Sequence, residues 1–268
     1  MKSREQGRFR DRLFFVGVLF LISAAVWSVP VVASGEELTV AAASDLNFAF
    51  KDLAAEYEKA TGQHVKLSLG SSGNFYSQIL NGAPFDLYFS ADVRYPQKLE
   101  ESGHGAPGTL YKYAVGRIVL WARNGSPVDV KKLGINALLD SSIKRIAIAN
   151  PKHAPYGRAA VSAMEHFQVY ARVKEKLVLG ENISQAAQFA QSGAADVGIV
   201  ALSMALAPTM KDAGQYWEIP SDAHPLIEQG AIILQRSTNQ QAARSFLDFI
   251  RGPQGQEVMR RYGFTLPR

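Results

Sequence analysis

From Leu38 onward the chain writes one pattern twice, and that repetition constrains its fold more than any single motif. LTVAAA reads as a strand and SDLN as a turn. FAFKDLAAEYEKATG then carries Phe48, Leu53, Ala54 and Tyr57 at helical spacing, with Gly62 as its stop. HVKLSL, GSSG, NFYSQILNGAP and FDLYFSA repeat the strand, turn, helix and strand order. Past the middle, RIAIAN, PKHAPYG, RAAVSAMEHFQVY, LVLG, ENIS, QAAQFAQSGA and DVGIVAL follow the same order. In each half a helix ends in Gly-Ala shortly before an aspartate and an apolar strand, Gly82 to Asp86 and Gly193 to Asp196. Consecutive βα units of this kind predict an α/β fold. Two similarly built lobes are expected, lobe I over 34–115 and 228–268 and lobe II over 116–227. Two crossing segments join them, YKYAVGRIVLWA (Tyr111 to Ala122) and HPLIEQGAIILQ (His224 to Gln235). The final helix should return to lobe I, breaking near Gly252 and resuming after Pro253.

The first residues belong to a different kind of segment. Residues 1–12 hold five Lys/Arg and two acids, Leu13 to Trp27 is an unbroken apolar run, and Val31 and Ala33 are small residues suited to a cut. This reads as a cleaved secretory signal over 1–33; the competing reading is a retained membrane anchor. Without the twelve basic-rich residues the formal net charge falls from +5 to +2, so no basic block remains to point to nucleic acid. The chain has no cysteine, which excludes disulfides, thiol catalysis, thiolate metal sites and a lipid-modified N-terminal cysteine.

Most chemical motifs fail on context. Gly103, Gly105 and Gly108 match GxGxxG, but they follow a helix and precede a strand, and Pro107 would sit inside the phosphate turn. GSSGN is neither a Walker loop nor a GxSxG elbow, and Ser141 to Lys144 matches SxxK with no SDN or KTG after it. The five histidines, His64, His104, His153, His166 and His224, show no metal-ligand spacing, and His153 reads as a rim residue of the PKHAPYG turn. Phe85, Tyr88, Phe89 and Trp121 read as strand residues packed in a core, with a sugar-stacking platform as the alternative.

Four turns remain, at Ser44, Ser72, Tyr156 and Ile183, each between the C-terminal end of a strand and the start of a helix. In open α/β sheets ligands sit at that edge, so in two facing lobes all four would point into one cleft. Helix starts present unpaired N–H groups and partial positive charge, which suits an anion. Gly-Ser-Ser-Gly with no lysine is then a set of neutral donors: Gly70 and Gly73 admit a close approach, and Ser71 and Ser72 add hydroxyls. The structural alternative is that Ser44 and Ser72 merely cap their helices, worth about 1 kcal/mol each.

At these residues the chain resembles a known family. VAAASDL, GSSGNFYSQI, GAPFDLYFSAD, NPKHAPYGRAA, GENISQAAQFAQSGAADVGIVAL and GPQGQEVMRRYGF look like the periplasmic molybdate-binding proteins of molybdate ABC transporters, across essentially the whole chain after the signal. The resemblance implies a type II periplasmic binding fold that closes two lobes on molybdate or tungstate and delivers the anion to a membrane permease. It implies no catalysis, no cofactor and a monomer in the periplasm. Molybdenum would be held only as its oxyanion, through Ser44, Ser72, Tyr156 and the backbone of Ile183, with no residue bonded to the metal itself. Some members carry a tyrosine at the place of Ala201, so here Tyr156 is expected to supply either a hydroxyl or a backbone N–H.

Asp45 sits among these residues and is an awkward neighbour for an anion. Two like charges 4 Å apart cost about 4 kcal/mol at an effective dielectric of 20. Its side chain is therefore expected to turn away and cap the helix at Leu46 while its N–H faces the ligand; the contrary expectation is a protonated Asp45 that donates. Alternatives of other kinds are a receptor for sulfate, phosphate or a phosphonate, a hydrolase using Ser72, and an adhesion or sensor domain.

Overall fold

In the computed structural model, which describes residues 37–267, the first lobe grows outward from β1 (Leu38–Ala43). The segment read as an export signal lies outside the described residues. β1 pairs in parallel with β2 (Val65–Gly70) and β3 (Leu87–Ser90). Antiparallel to β3 runs β10 (Ile227–Ile233), which pairs in turn with β4 (Tyr111–Gly116), giving the order β2-β1-β3-β10-β4. The second sheet repeats the plan around β6 (Ile146–Ala149), parallel to β7 (Leu177–Gly180) and to β8 (Val197–Ala201). β5 (Ile118–Arg123) and β9 (Gly214–Glu218) complete it as antiparallel strands, in the order β7-β6-β8-β5-β9. The run from Tyr111 to Ala122, expected as one crossing segment, is therefore two strands in two sheets, parted at Arg117.

Helices fill the connections. α1 (Asn47–Thr61), α2 (Ser72–Leu80) and α3 (Arg94–Glu101) follow β1, β2 and β3, and the short α4 (Val130–Leu133) follows β5. α5 (Pro155–His166) and α6 (Tyr170–Val173) join β6 to β7, α7 (Ile183–Ser192) joins β7 to β8, and α8 (Leu202–Ala205) follows β8. α9 (Gln240–Arg251) and α10 (Pro253–Arg261) break at Gly252 and pack on the first lobe. Gly62 ends α1 in the left-handed region at φ 73°, where a side chain is strained.

The strand period decides which core each residue enters. Leu38, Val40 and Ala42 of β1, Leu87 and Phe89 of β3, and Ala231 and Ile233 of β10 face one core; Ala41, Tyr88 and Ile232 face the other. Helices must therefore cover both faces of this sheet, which makes it a three-layer lobe. Tyr88, Phe89 and Trp121 are at most 1% exposed and offer no platform to a sugar, while Phe85 is half-buried and precedes β3 rather than lying on it.

The repeated Gly-Ala-to-aspartate pattern has a structural reason. Asp86 accepts from the Thr39 N–H at 2.8 Å and hydroxyl at 2.9 Å, tying the start of β3 to β1. Asp196 accepts from the N–H groups of Lys144 and Arg145, each at 2.8 Å, tying the start of β8 to the approach of β6.

Phe246 of α9 is wholly buried and meets Phe50, Tyr57 and Phe89 edge-on, at ring-centre distances of 6.2, 5.0 and 6.2 Å. Phe246→Ala should destabilise the chain by about 3–5 kcal/mol, read as a lower midpoint in urea denaturation with an unchanged slope; a loss below about 1 kcal/mol would contradict this packing.

Candidate functional site

The four predicted turns meet. Ser44 starts a 3₁₀ turn (Ser44–Leu46) after β1, Ser72 starts α2 after β2, Tyr156 is the second residue of α5 after β6, and Ile183 starts α7 after β7. With Asp45, all of them line one cavity, together with Ala43, Gly70, Ser71, Ala91, Ala154, Pro155 and Asn182. The space between these residues, open solvent at its mouth included, is about 190 Å³. At the first positions of a helix the backbone N–H has no acceptor within the helix, so these turns turn donors toward the space they share.

The hydroxyls are set to donate as well. Ser72 Oγ accepts from the Ala91 N–H at 2.9 Å, and Ser44 Oγ accepts from the Ser184 N–H at 3.3 Å. A hydroxyl has a single proton, and accepting a bond leaves that proton available while polarising it. Ser72 and Ser44 are 1% and 3% exposed, so such donors are shielded from water.

A belt of contacts between the lobes surrounds the cavity. The His153 carbonyl accepts from Ser71 Oγ at 2.7 Å and from the Gly73 N–H at 3.0 Å. Since Ser71 has given its only proton to that carbonyl, the His153 ring, 2.9 Å away through Nδ1, is the donor in its own contact with Ser71 Oγ. Ser184 Oγ donates to the Ser44 carbonyl at 3.0 Å, and Ser203 Oγ to the Asp45 carbonyl at 2.7 Å. Arg158 Nη2 reaches Asp92 Oδ2 at 2.7 Å. Burial alone would raise the Asp92 pKa, but hydrogen bonds from Arg94 and the charges of Arg94 and Arg158 hold it below the ordinary carboxylate value.

Several expectations need correction here. Asp45 does not cap the helix at Leu46: no side chain caps the 3₁₀ turn or α1. Instead its carboxylate lies buried between the lobes, with Oδ2 accepting from the Tyr156 phenol at 2.9 Å and from Gln229 Nε2 at 2.7 Å. Burial pushes its pKa up to about 6, against the opposing pull of Gln229, Tyr156 and its own N–H. The Tyr156 hydroxyl is thereby committed to Asp45, which leaves its backbone N–H as what this residue can offer a guest. Ser71 is a lobe contact rather than a spare donor, and so is the close approach at Gly73, where an added Cβ would stand 2.7 Å from the His153 oxygen. Gly70 serves packing: a Cβ there would meet the Phe75 ring at 3.0 Å. His153 is 20% exposed in its side chain and sits on Ser71, not Ser72, so it cannot act as a base for a Ser72 nucleophile. Ser141, in a turn, and Lys144, in the segment leading to β6, are both exposed.

Among the described residues no lysine, arginine or histidine lines the cavity. A wider groove sharing Ala91 and Pro155 with it, about 900 Å³, does contain Arg94 and Arg158, but both are bonded to Asp92. Among the described residues no group of three or more His, Asp or Glu is placed to hold a metal ion. The arrangement can therefore bind an anion by hydrogen bonding and helix-end polarity; it lacks an assembled nucleophile and base.

Sequence reasoning missed Gln229, Ser184 and Ser203. Gln229 is fully buried on β10 (IEQGAII), between the half-buried Glu228 and the apolar Ala231 to Ile233. With Glu228 beside it the glutamine carried little sequence signal, since only the fold shows that it, and not Glu228, is the residue turned inward. Ser184 and Ser203 carried none, since what they touch lies 140 and 158 positions away.

The bacterial extracellular solute-binding protein family matches residues 38–265. The chain is 39% identical to the molybdate-binding protein ModA of Rhodobacter capsulatus, over 90% of this chain and 93% of that one. It is 40% identical to the molybdate-binding protein ModA of Azotobacter vinelandii, over 87% and 92%. The solved structure of the Azotobacter vinelandii periplasmic molybdate-binding protein superposes with a TM-score of 0.80 at 34% identity, covering 86% of this chain and all of that one. The two-lobed fold, the paired sheets and these relatives lead to one conclusion: the chain belongs to the bacterial extracellular solute-binding protein family, among the relatives of the molybdate-binding proteins.

Proposed function

We propose that this chain is a periplasmic receptor that captures molybdate or tungstate between its lobes and delivers it to the permease of an ABC transporter. It works without a cofactor, as a monomer and without catalysis, and reaches the periplasm through a cleaved signal over residues 1–33. Lobe I comprises 34–115 and 228–268, and lobe II comprises 116–227. The observation that carries this reading is the convergence of four helix-start turns and two serine hydroxyls on a shielded cavity with no basic side chain. A fully ionised oxyanion needs only donors, and neutral donors in a dry site suffice. The names of the relatives, both molybdate-binding proteins, support molybdate among these anions.

In this reading Ser44 and Ser72 donate through their hydroxyls, while Tyr156 and Ile183 donate through backbone N–H groups. Lobe closure removes water and so strengthens every contact. Sulfate has the same shape and charge but shorter bonds to oxygen, and a cavity set by rigid turns discriminates by size. Asp45 Oδ1, buried with no partner, favours one second reading: a receptor for an oxyanion that keeps a proton, such as phosphate, to which a carboxylate would act as acceptor.

A panel of molybdate, tungstate, sulfate and phosphate in a thermal-shift assay tests both. A tight ligand at a thousandfold excess over Kd stabilises by about 4 kcal/mol. A shift with molybdate or tungstate and little with sulfate or phosphate is expected; a shift confined to phosphate would transfer the assignment to the second reading. Hydrogen bonds to a charged group contribute roughly 1.5–3 kcal/mol. Ser72→Ala should therefore weaken molybdate binding between about tenfold and about 150-fold in calorimetry, and unchanged affinity would remove Ser72 from the site. Gly73→Val places a side chain against His153 and should hold the lobes apart, giving a larger radius of gyration with molybdate present; a compact, tightly binding variant would contradict the proposed closure.

A further inference from the structure

Among the described residues Asp45 is the one carboxyl group lining the cavity; it is 1% exposed, and its two oxygens are unequal. Oδ2 takes the Tyr156 and Gln229 bonds, whereas Oδ1 is buried with no hydrogen-bond partner in the protein. The protons of this network can be traced. The Tyr113 phenol, 2.7 Å from Gln229 Oε1 and 3.2 Å from the Ser90 carbonyl, donates, which orients the Gln229 amide so that Nε2 gives to Asp45 and to Tyr156 Oη at 2.9 Å. Tyr156 then gives its own proton to Asp45 Oδ2. Both bonds run toward Oδ2, so a proton on the carboxyl group itself belongs on Oδ1.

An ionised Asp45 would be a buried charge held only by neutral donors, the Tyr156 phenol, the Gln229 amide and its own N–H, beside a doubly negative guest. Burying an unpaired carboxylate costs several kcal/mol, and such a group neutralises instead. We propose that Asp45 enters the closed site as the neutral acid and donates from Oδ1 to an oxygen of the bound oxyanion, so that each anion is captured together with one proton. The proton comes from solvent as the lobes meet and returns to solvent on release, and only O–H bonds are made or broken. This rests on the oxyanion reading above and deepens it: Asp45 becomes a specificity-determining residue that favours fully ionised guests.

The surroundings supply no cation to reverse this. Tyr156 from α5 and Tyr113 from β4 are the titratable groups that face the carboxyl, and burial together with the Asp45 charge raises the pKa of both. The segments of α7 and α8 packed on this turn carry no ionisable side chain. Lys51 of α1 is exposed over the Phe48 ring, and Asp52 pairs with Arg261. Lys66 of β2 pairs with Glu37, Arg158 of α5 with Asp92, Lys112 of β4 with Glu228 of β10, and Arg117 with Glu218. The pKa of about 6 already holds with no anion counted, and a dianion alongside raises it further.

The sign follows from that direction. Tyr156 comes from the other lobe, so its contact and part of the burial exist only when the lobes meet; apart, Asp45 returns toward the ordinary value of about 3.9. Between that value and the raised one, binding takes up a proton and affinity falls as pH rises, approaching tenfold per pH unit. Calorimetry of molybdate binding near pH 6 in buffers of different ionisation enthalpy counts this proton directly. The intact protein should take up close to one proton per molybdate. Asp45→Asn, whose amide donates permanently from the place of Oδ1, should take up none and bind with a pH-independent Kd. Binding by the intact protein with no proton uptake, or the same uptake in Asp45→Asn, overturns this inference alone. No binding of molybdate or tungstate overturns the oxyanion reading and this inference with it.

Discussion

The unpaired N–H groups at the starts of helices are the constraint around which this molecule is arranged. A helix cannot satisfy its own first donors, and a parallel strand delivers such a start to the same edge of its sheet each time. Two lobes built on one plan place two of these edges each, and when the lobes meet the four edges oppose one another around Ser44, Ser72, Tyr156 and Ile183. Water or an anion must then occupy the space between them. The absence of basic side chains follows from the same geometry, because donors already converge there and a lysine would have to displace one of them.

The lobes are held by groups different from those that face the cavity. His153 grips Ser71 and Gly73 through its carbonyl, Arg158 reaches Asp92, and Ser203 and Ser184 bond the backbone of the first 3₁₀ turn. This division leaves the Ser44 and Ser72 protons uncommitted while the lobes touch. Asp45 bridges the two sets, lining the cavity through its own residue and joining α5 and β10 through Oδ2. Its carboxyl group is thus buried where residues of both lobes meet, with no cation bonded to it.

Much of the site was legible because its signal is local. Strand, turn and helix succeed one another within a few residues, so the apolar periods around Ser44, Ser72, Tyr156 and Ile183 locate each turn without knowledge of the rest of the chain. The Gly-Ser-Ser-Gly stretch was read correctly as a helix start, but Ser71, read as a spare hydroxyl donor, gives its proton to the His153 carbonyl, and Gly70 and Gly73 serve packing and the lobe contact. Which of its hydroxyls stays free toward the cavity, and which bonds His153, depends on a partner 82 positions away. Asp45 failed for the same reason: a helix cap is a local option, whereas Gln229 and Tyr156 reach it from 184 and 111 positions away.

The sequence by itself determined the repeated βα plan, the placement of helix starts at strand ends, the absence of thiol chemistry and the want of basic residues in the four turns, since each is written in residues close together along the chain. Only the tertiary structure decided that the run from Tyr111 divides between two sheets, that Ser71 belongs to the seam, and that a carboxyl group is buried between the lobes. Those outcomes depend on which surfaces meet across large sequence separations, and neither period nor composition encodes such a meeting.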